Sequence, residues 1–127
     1  VLDGAPGVYS ARFAGENPTF EDNVNKMLTA LGGIPDDKRT ARFRTALAFV
    51  DSNSEFCEEG VIEGKITEKP RGEDGFGYDP IFEPANETKT FAEMANEEKN
   101  RISHRARALE KMQKTLKHYF EKGVSID

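Results

Sequence analysis

The sequence predicts an α/β fold, because segments with helical and with strand periodicity both occur along its 127 residues. Apolar residues recur every three or four positions in two stretches, near residues 20–31 and 106–120, as on one face of a helix. Residues 40–50 alternate in side-chain character, which is typical of a strand. A chain of this length can bury one modest core, so we expect a single domain over residues 1–127.

The first expected elements are a turn and a helix. Gly4-Ala5-Pro6-Gly7 is typical of a turn. A helix is expected to begin after Thr19, which can form a capping box with Asp22, and to end at Gly32-Gly33. Its predicted apolar face consists of Phe20, Val24, Met27, Leu28 and Leu31.

The middle of the chain predicts an antiparallel hairpin. One face of the strand at residues 40–50 is expected to carry Phe43, Thr45, Leu47 and Phe49. Residues 51–54 are turn-forming, and residues 55–67 predict a second strand, broken or bulged at Gly60 and Gly64. The single cysteine, Cys57, lies in that strand and is expected to be a small core residue.

The last part of the chain predicts one short strand and several helical segments. The strand is expected at Ile81–Phe82, and a capping box at residues 90–93 predicts a short helix. Asn96 is expected to cap a further turn, and Ser103 to cap a long helix that ends at Gly123. The apolar positions of the long helix are Ala106, Leu109, Met112, Leu116 and Phe120.

The charge balance argues against nucleic-acid binding. The chain has 23 acidic and 18 basic residues, a net charge of −5, whereas nucleic-acid binding needs a basic surface. One cysteine allows no internal disulfide, which is typical of a reducing, cytoplasmic setting. No apolar stretch approaches the roughly 18 residues of a membrane helix, and no signal peptide is evident. We therefore expect a cytoplasmic protein that binds neither membranes nor nucleic acids.

Spacing excludes two phosphate-binding motifs. Residues 60–65 resemble a Walker A loop, but three residues instead of four separate the glycines, and neither Ser nor Thr follows Lys65. Residues 72–77 depart from the dinucleotide-binding fingerprint, because Pro80 stands where a third glycine is needed.

Residues 71–80 form a glycine loop that could receive a nucleobase. Glycine allows a positive φ and a close approach of ligand to backbone. The ring of Phe76 can stack on a flat heterocycle, and the carboxylate of Asp79 can hydrogen-bond its edge. Considered one at a time, Asp74 and Asp79 could simply stabilise a turn, and Phe76 could be a buried side chain that anchors the loop. Their coincidence in ten residues favours the nucleobase pocket.

Cations cluster at the start of the last predicted helix. His104, Arg105 and Arg107 lie in its first turn, with Lys99 shortly before it. Because a helix N-terminus is already positive, each cation there costs about 0.3–1 kcal/mol. A bound anionic or electron-rich ligand would account for the cluster. A solvated face neutralised by neighbouring glutamates accounts for it equally well.

Five segments occur in an order that resembles one known family. The chain is similar to the HAM1/RdgB family, the inosine/xanthosine triphosphate pyrophosphatases, over essentially its whole length. The ungapped match of the glycine loop makes the resemblance specific. The segments are Gly4–Arg12, Pro70–Phe82, Thr90–Met94, Glu98–Asn100 and Ile102–Ala106.

The resemblance implies an activity and an architecture. Family members use Mg²⁺ to hydrolyse ITP, dITP and XTP to the monophosphate and pyrophosphate, which removes non-canonical purine nucleotides from the pool. The implied fold is α/β, with an elongated mixed sheet and flanking helices in two lobes, and the implied assembly is a homodimer. The alternative is a non-catalytic purine nucleotide-binding or interaction module.

The resemblance also implies roles for seven residues. The glycine loop would bind the base, Lys99 would bind substrate, and His104 with Arg105 would read the base. A 6-oxo group could accept from Arg105, whereas the amino group of adenine would leave such donors unpaired. The four residues implied for the loop are Phe76, Gly77, Tyr78 and Asp79.

The family's catalytic elements have no counterpart among these residues. Family members carry a phosphate loop, a metal-binding glutamate and a catalytic aspartate before the Gly-Ala-Pro-Gly turn. We expect these elements upstream of Val1, so the chain would be the C-terminal portion of an incomplete ITPase-like domain. We expect no catalytic residue and no Mg²⁺ ligand within the 127 residues, and the 127 residues alone are expected to be inactive.

Overall fold

The sheet of this protein contains two long strands and one short strand. The computed structural model describes residues 1–73 and 75–123, with side chains through Glu121. Within this part, the strands are β1 (Thr40–Val50), β2 (Glu55–Ile66) and β3 (Phe82–Pro84). Their order is β1-β2-β3, and β2 pairs antiparallel with β3 so that Ile66 faces Phe82. The helices are α1 (Phe20–Ala30), α2 (Asn96–Ile102) and α3 (His104–Gly123), which confirms the predicted α/β class.

The chain divides into two compact units, and both long strands contribute residues to each. Unit 1 consists of Val1–Arg42 and Glu63–Asn96, and unit 2 of Phe43–Ile62 and Glu97–Asp127. A single domain over residues 1–127 stays a prediction. Among the described residues, no helix combines the length and the apolar composition needed to cross a bilayer.

The core of unit 1 lies between α1, β3 and the turn after residue 90. A capping box between Thr19 and Asp22 starts α1 as predicted. The rings of Phe82 and Phe91 lie 5.3 Å apart, and both are almost fully buried. Phe20, predicted for the apolar face of α1, is instead 60% exposed. The other buried apolar residues of unit 1 are Val24, Met27, Leu31, Ile66, Ile81, Ala92 and Met94.

A buried arginine joins the end of α1 to the end of β2. The side chain of Arg39 donates to the carbonyl oxygens of Leu31 (2.7 Å), Ile66 (2.8 Å) and Thr67 (2.9 Å). Only 3% of Arg39 is exposed, so these bonds replace the water that a guanidinium would otherwise hold. Its charge at the C-terminal end of α1 also favours the helix dipole.

Unit 2 packs α3 against β2. Ile62 of β2 is buried, as are Ala108 and Met112 of α3. The predicted apolar stripe of α3 is correct only in part: Met112 is buried as expected, whereas Leu109 is 53% exposed and Phe120 56% exposed, and Ala108, outside the stripe, is fully buried. The helix reaches Gly123, and the residues after it lie outside the described part.

The structure corrects three predictions about the strands. β2 is continuous through Gly60 and Gly64, so the strand is not broken there, and both glycines allow a close approach of neighbouring backbone. Cys57 is exposed, because strand alternation places it opposite the inward-facing Phe56. Ile81 belongs to a 3₁₀ turn, Asp79–Ile81, and the third strand begins only at Phe82.

Candidate functional site

The glycine loop owes its course to backbone conformations that favour glycine. Gly72 has φ +91° and Gly75 has φ +87°. A Cβ at Gly72 would lie 2.4 Å from the carbonyl carbon of Ala92, and one at Gly75 would lie 2.3 Å from Oδ2 of Asp79. Both glycines are therefore required by conformation and by space. Asp74, the other aspartate of the loop, lies outside the described residues.

Asp79 stabilises the loop from the inside. It is 4% exposed, and its Oδ2 accepts a hydrogen bond from the backbone nitrogen of Phe76 at 3.0 Å. The backbone nitrogen of Asp79 donates in return to the carbonyl oxygen of Phe76 at 3.2 Å. The ring of Phe76 nevertheless stays 47% exposed. The loop thus uses its carboxylate internally and presents its aromatic ring at the surface.

The base of the loop is fixed to the turn that follows β3. The backbone nitrogen of Arg71 donates to the carbonyl oxygen of Pro80 at 2.8 Å, which closes the loop. Thr90, which is fully buried, donates its hydroxyl to the carbonyl oxygen of Arg71 at 2.7 Å. The guanidinium of Arg71 pairs with Glu83, and with Glu93 at 3.5 Å. The capping box predicted at Thr90 and Glu93 is present.

Tyr78 ties the loop to the beginning of the chain. Its hydroxyl donates to the carbonyl oxygen of Ser10 at 2.6 Å, within the 3₁₀ turn Gly7–Arg12. Partial burial raises the pKa of Tyr78 to about 12, since burial disfavours the phenolate. Residue 78 therefore has a structural role beside the role that the family resemblance implies.

Asn23 holds the same turn to α1, and sequence reasoning missed it. Its side-chain amide donates to the carbonyl oxygen of Ala11 at 3.0 Å, and its oxygen accepts from the backbone nitrogen of Ala14 at 2.9 Å. The residue is 3% exposed. Asn23 follows Phe20 by three residues, which places it on the predicted apolar face of α1. A polar residue at such a position predicts a buried amide, which needs hydrogen-bond partners. This pattern could have identified Asn23.

A second aromatic ring lies beside the loop. Phe20, the first residue of α1, has its ring centroid 6.3 Å from that of Phe76, with 43° between the ring planes. This distance lies in the range favoured by aromatic pairs. Sequence reasoning assigned Phe20 to the core and so missed this contact.

The start of α3 forms the other group of predicted site residues. Oγ of Ser103 accepts from the backbone nitrogen of Ala106 at 3.1 Å, which confirms the predicted cap. A Cβ at Gly60 would lie 1.9 Å from the carbonyl oxygen of His104. The first turn of α3 therefore lies directly against the backbone of β2.

The polar residues around this first turn differ in burial. His104 is half-buried with its ring 5.2 Å from that of Phe43, and Lys99 of α2 is also half-buried. Arg105 is exposed. Arg107, also exposed, donates to the carbonyl oxygen of Val61 at 2.8 Å, so part of the cation cluster serves the packing of α3.

The structure therefore brings the predicted residues together in two groups. The loop group lies in unit 1, and the helix group lies in unit 2. Among residues 1–73 and 75–123, no group of three or more His, Cys, Asp or Glu side chains could hold a metal ion. The loop group is Phe76, Gly77, Tyr78 and Asp79, and the helix group is Lys99, His104 and Arg105.

Known proteins resemble this chain in sequence and in structure. The chain is 54% identical over 123 residues to a protein from Thermoanaerobacter pseudethanolicus named dITP/XTP pyrophosphatase, covering 97% of this chain and 60% of that protein. The Ham1 protein of Staphylococcus aureus has a TM-score of 0.87 at 39% identity, covering 93% of this chain and 61% of that one. A HAM1 protein from Coxiella burnetii has a TM-score of 0.85 at 42% identity, covering 92% and 61%.

These matches include both groups of site residues. The chain spans less than two thirds of the length of the relatives named above. A sequence profile described as the Ham1 family matches residues 1–115, which include the glycine loop and the first turn of α3. Because the profile and the relatives match most of the chain, the chain belongs to the Ham1 family.

Proposed function

We propose that the protein hydrolyses non-canonical purine nucleoside triphosphates, namely ITP, dITP and XTP, to the monophosphate and pyrophosphate. The observation that carries this proposal is the 54% identity, over 97% of the chain, to a relative named dITP/XTP pyrophosphatase. Such a reaction would remove these nucleotides from the pool before a polymerase could use them.

We assign binding of the purine base to the glycine loop. The exposed ring of Phe76 supports this, because a phenyl face on a fixed backbone can stack on any purine. The bond from the Phe76 nitrogen to Asp79 fixes that backbone. Gly77, with φ +62°, and Tyr78 complete the assigned segment, and a bond from the base edge to Asp79 remains part of the proposal.

We assign recognition of the 6-oxo group and of the substrate's charge to the helix group. Arg105 is an exposed cation in the first turn of α3, and its guanidinium can donate to a keto oxygen. His104 is assigned the same edge of the base, and Lys99 is assigned to substrate binding. Adenine would present an amino group to these donors, and unpaired donors are costly.

A divalent metal, Mg²⁺, belongs to the proposal, because it would neutralise the charge of the triphosphate. Among the described residues, no group of three or more His, Cys, Asp or Glu side chains could hold a metal ion. The family resemblance implies no metal ligand and no catalytic residue among these 127 residues, and the proposal assigns none. The assignments to this chain concern recognition of the nucleotide.

The proposal includes a homodimer in the cytoplasm. The family resemblance implies the dimer, and the single cysteine supports a reducing compartment. Sedimentation of the protein at its natural length tests the assembly, since a monomer at micromolar concentration would contradict it.

Pyrophosphate release is the direct test. The protein at its natural length is assayed with Mg²⁺ and ITP, dITP, XTP or ATP, and binding of IMP is measured by calorimetry. We expect kcat/KM for the first three to exceed that for ATP by about tenfold or more. The 127 residues alone are expected to release no pyrophosphate from ITP.

The outcomes separate the candidate functions. Binding of IMP by the natural-length protein without hydrolysis of any triphosphate would favour the non-catalytic nucleotide-binding module. Absence of both binding and hydrolysis would contradict the purine assignment altogether.

A further inference from the structure

We propose that Phe20 is a positioning residue for the base-binding loop: its ring holds the ring of Phe76 in the orientation that receives a purine. The inference rests on the proposed function, because it gives Phe20 a part in the same binding step. Phe20 lies outside the five segments that carry the family resemblance, so the resemblance assigns it no role.

The two rings form a pair at the protein surface. Their centroids lie 6.3 Å apart, yet Phe20 is 60% exposed and Phe76 is 47% exposed. A single exposed phenylalanine needs no explanation, because much of any protein surface is apolar. Two exposed rings in contact at a loop whose conformation is set by three positive-φ glycines are more informative.

The backbone beneath Phe20 is fixed, so the contact can restrain the loop. The backbone nitrogen of Thr19 donates to Oδ2 of Asp22 at 2.8 Å, and the nitrogen of Asp22 donates to Oγ1 of Thr19 at 3.0 Å. This capping box sets the residue at which α1 begins. Phe20 is that residue, and its Cα has little freedom.

The same helix is connected to the loop through the turn Gly7–Arg12. Asn23 binds the backbone of this segment at Ala11, and the hydroxyl of Tyr78 binds it at Ser10. Helix, turn and loop thus form one hydrogen-bonded frame within unit 1. Phe20 and Phe76 are the two rings that this frame brings together at its surface.

A restrained ring binds a base at lower entropic cost than a mobile one. Phe76 stands between Gly75 and Gly77, whose backbones have no side chain to limit its rotamers. Contact with Phe20 removes part of that rotamer freedom before the ligand arrives. Binding then loses less side-chain entropy, which is the usual gain from preorganisation.

A purely structural pair would behave differently. If the contact only stabilises the fold, removal of Phe20 lowers the free energy of unfolding and leaves nucleotide affinity unchanged. If Phe20 positions Phe76, removal also raises KM and Kd, while kcat stays the same because no group at the reacting phosphate is altered.

The experiment compares Phe20→Ala and Phe20→Tyr in the protein at its natural length. We measure kcat and KM for ITP, the Kd for IMP without metal, and the upfield NMR shift of the IMP protons H2 and H8. We expect Phe20→Ala to raise KM and Kd about threefold to tenfold, the gain expected from ordering one side chain, with kcat unchanged. The ring-current shift should shrink, and Phe20→Tyr should restore all three values.

Phe120→Ala is the matched control. Phe120 of α3 is 56% exposed, and its ring centroid lies 6.2 Å from that of Phe49. This variant also removes an exposed ring from an aromatic pair, but outside the loop. It should change unfolding without changing the Kd for IMP. The proposal is overturned if Phe20→Ala matches Phe120→Ala in Kd, KM and ring-current shift.

Phe76→Ala separates this inference from the proposed function. If Phe76→Ala weakens IMP binding and Phe20→Ala does not, the proposed function stands and the role of Phe20 is overturned. If the unaltered protein neither binds IMP nor hydrolyses ITP, the proposed function is overturned and the role of Phe20 with it.

Discussion

The glycine loop and the first turn of α3 use their polar residues in opposite ways. In the loop, Asp79 is 4% exposed and binds the backbone of Phe76, so the charged group is inside and the aromatic ring is outside. At the helix, the imidazole of His104 is half-buried against Phe43, while the cation of Arg105 is exposed. The loop offers a flat apolar surface, and the helix offers charge.

The difference arises because the backbones of the glycine loop and of the first turn of α3 are stabilised by different interactions. A loop without regular hydrogen bonds needs side chains to complete it, and Asp79, Tyr78 and Thr90 supply them. The first turn of α3 is fixed by the Ser103 cap and lies close to β2 at Gly60. Arg107 of this turn donates to the carbonyl oxygen of Val61, and the guanidinium of Arg105 is exposed. Substitutions in the loop should thus alter stability and binding together, whereas exposed helix residues should alter binding alone.

The largest effect is expected from Gly60→Ala. Its Cβ would lie 1.9 Å from the carbonyl oxygen of His104 and 2.3 Å from the nitrogen of Ala108, and a backbone cannot yield as a flexible side chain can. Overpacking of this kind should lower the free energy of unfolding by about 3 kcal/mol, measured by urea denaturation.

Gly33→Ala is the control for this substitution. Gly33 has φ +79° and open space around its Cβ, so only the conformational cost of about 1 kcal/mol applies. Equal destabilisation by the two variants would show that the close contact does not fix the start of α3.

Asp79→Ala should have the next largest effect. It removes the carboxylate that accepts from Phe76, and a hydrogen bond to a charged group contributes about 2 kcal/mol. We expect the free energy of unfolding, measured by urea denaturation, to fall by about this amount. Binding of IMP should also weaken, because the backbone of Phe76 loses this hydrogen bond.

Asp79→Asn sharpens the same prediction. Its side-chain oxygen can still accept from the Phe76 nitrogen, so most of the stability should return. If Asp79→Ala unfolds at the same urea concentration as the unaltered protein, the carboxylate does not hold the loop.

Arg105→Ala should change specificity with little change in stability. Arg105 is exposed, so the free energy of unfolding should change by less than about 0.5 kcal/mol. If Arg105 reads the 6-oxo group, the ratio of kcat/KM for ITP over ATP should fall about tenfold, which is about 1.4 kcal/mol.

The control for Arg105 is Arg101→Ala. Arg101 is an exposed arginine of α2 whose Nε donates to the carbonyl oxygen of Glu97 at 3.4 Å. Arg101→Ala removes one positive charge, as Arg105→Ala does, but it should leave the ratio of kcat/KM for ITP over ATP unchanged. An equal fall in both variants would assign the effect to overall charge instead of base recognition.

Local features of the fold could be predicted from sequence because their causes are local. The capping boxes at Thr19 and Thr90 and the cap at Ser103 involve residues three apart, and all three are present. Alternation along β1 likewise predicted which side chains share a face, and the face of Phe43, Thr45, Leu47 and Phe49 is the less exposed one. In the loop, glycine spacing predicted an unusual backbone, and Gly72 and Gly75 have positive φ.

The missed features depend on residues distant in sequence. Arg39 binds carbonyl oxygens 27 and 28 positions later, and Tyr78 binds one 68 positions earlier. The exposure of Phe20 and of Cys57 was also missed, because periodicity defines two faces of an element but not which one is covered. For Asp79 the sequence predicted a carboxylate in the loop and could not predict that it turns inward.

The smallest expected effect is the pH dependence of Tyr78. Its pKa is raised from 10.0 to about 12 in the folded protein, because burial disfavours the phenolate. A raised folded pKa means that the folded state holds the proton more tightly than the unfolded state. Its contribution to stability is therefore complete below pH 10 and is lost as the pH rises through 12.

Tyr78→Phe measures this contribution directly. At neutral pH the variant should be less stable by about 1 kcal/mol, the usual value of one hydrogen bond, here the bond to Ser10. The difference between the two proteins should shrink between pH 10 and 12, because only the unaltered protein gains a phenolate at this position. A constant difference over that interval would mean that Tyr78 is equally solvated in both states. Burial of the hydroxyl would then not contribute to stability, and the difference at neutral pH would measure the hydrogen bond from Tyr78 to Ser10 by itself.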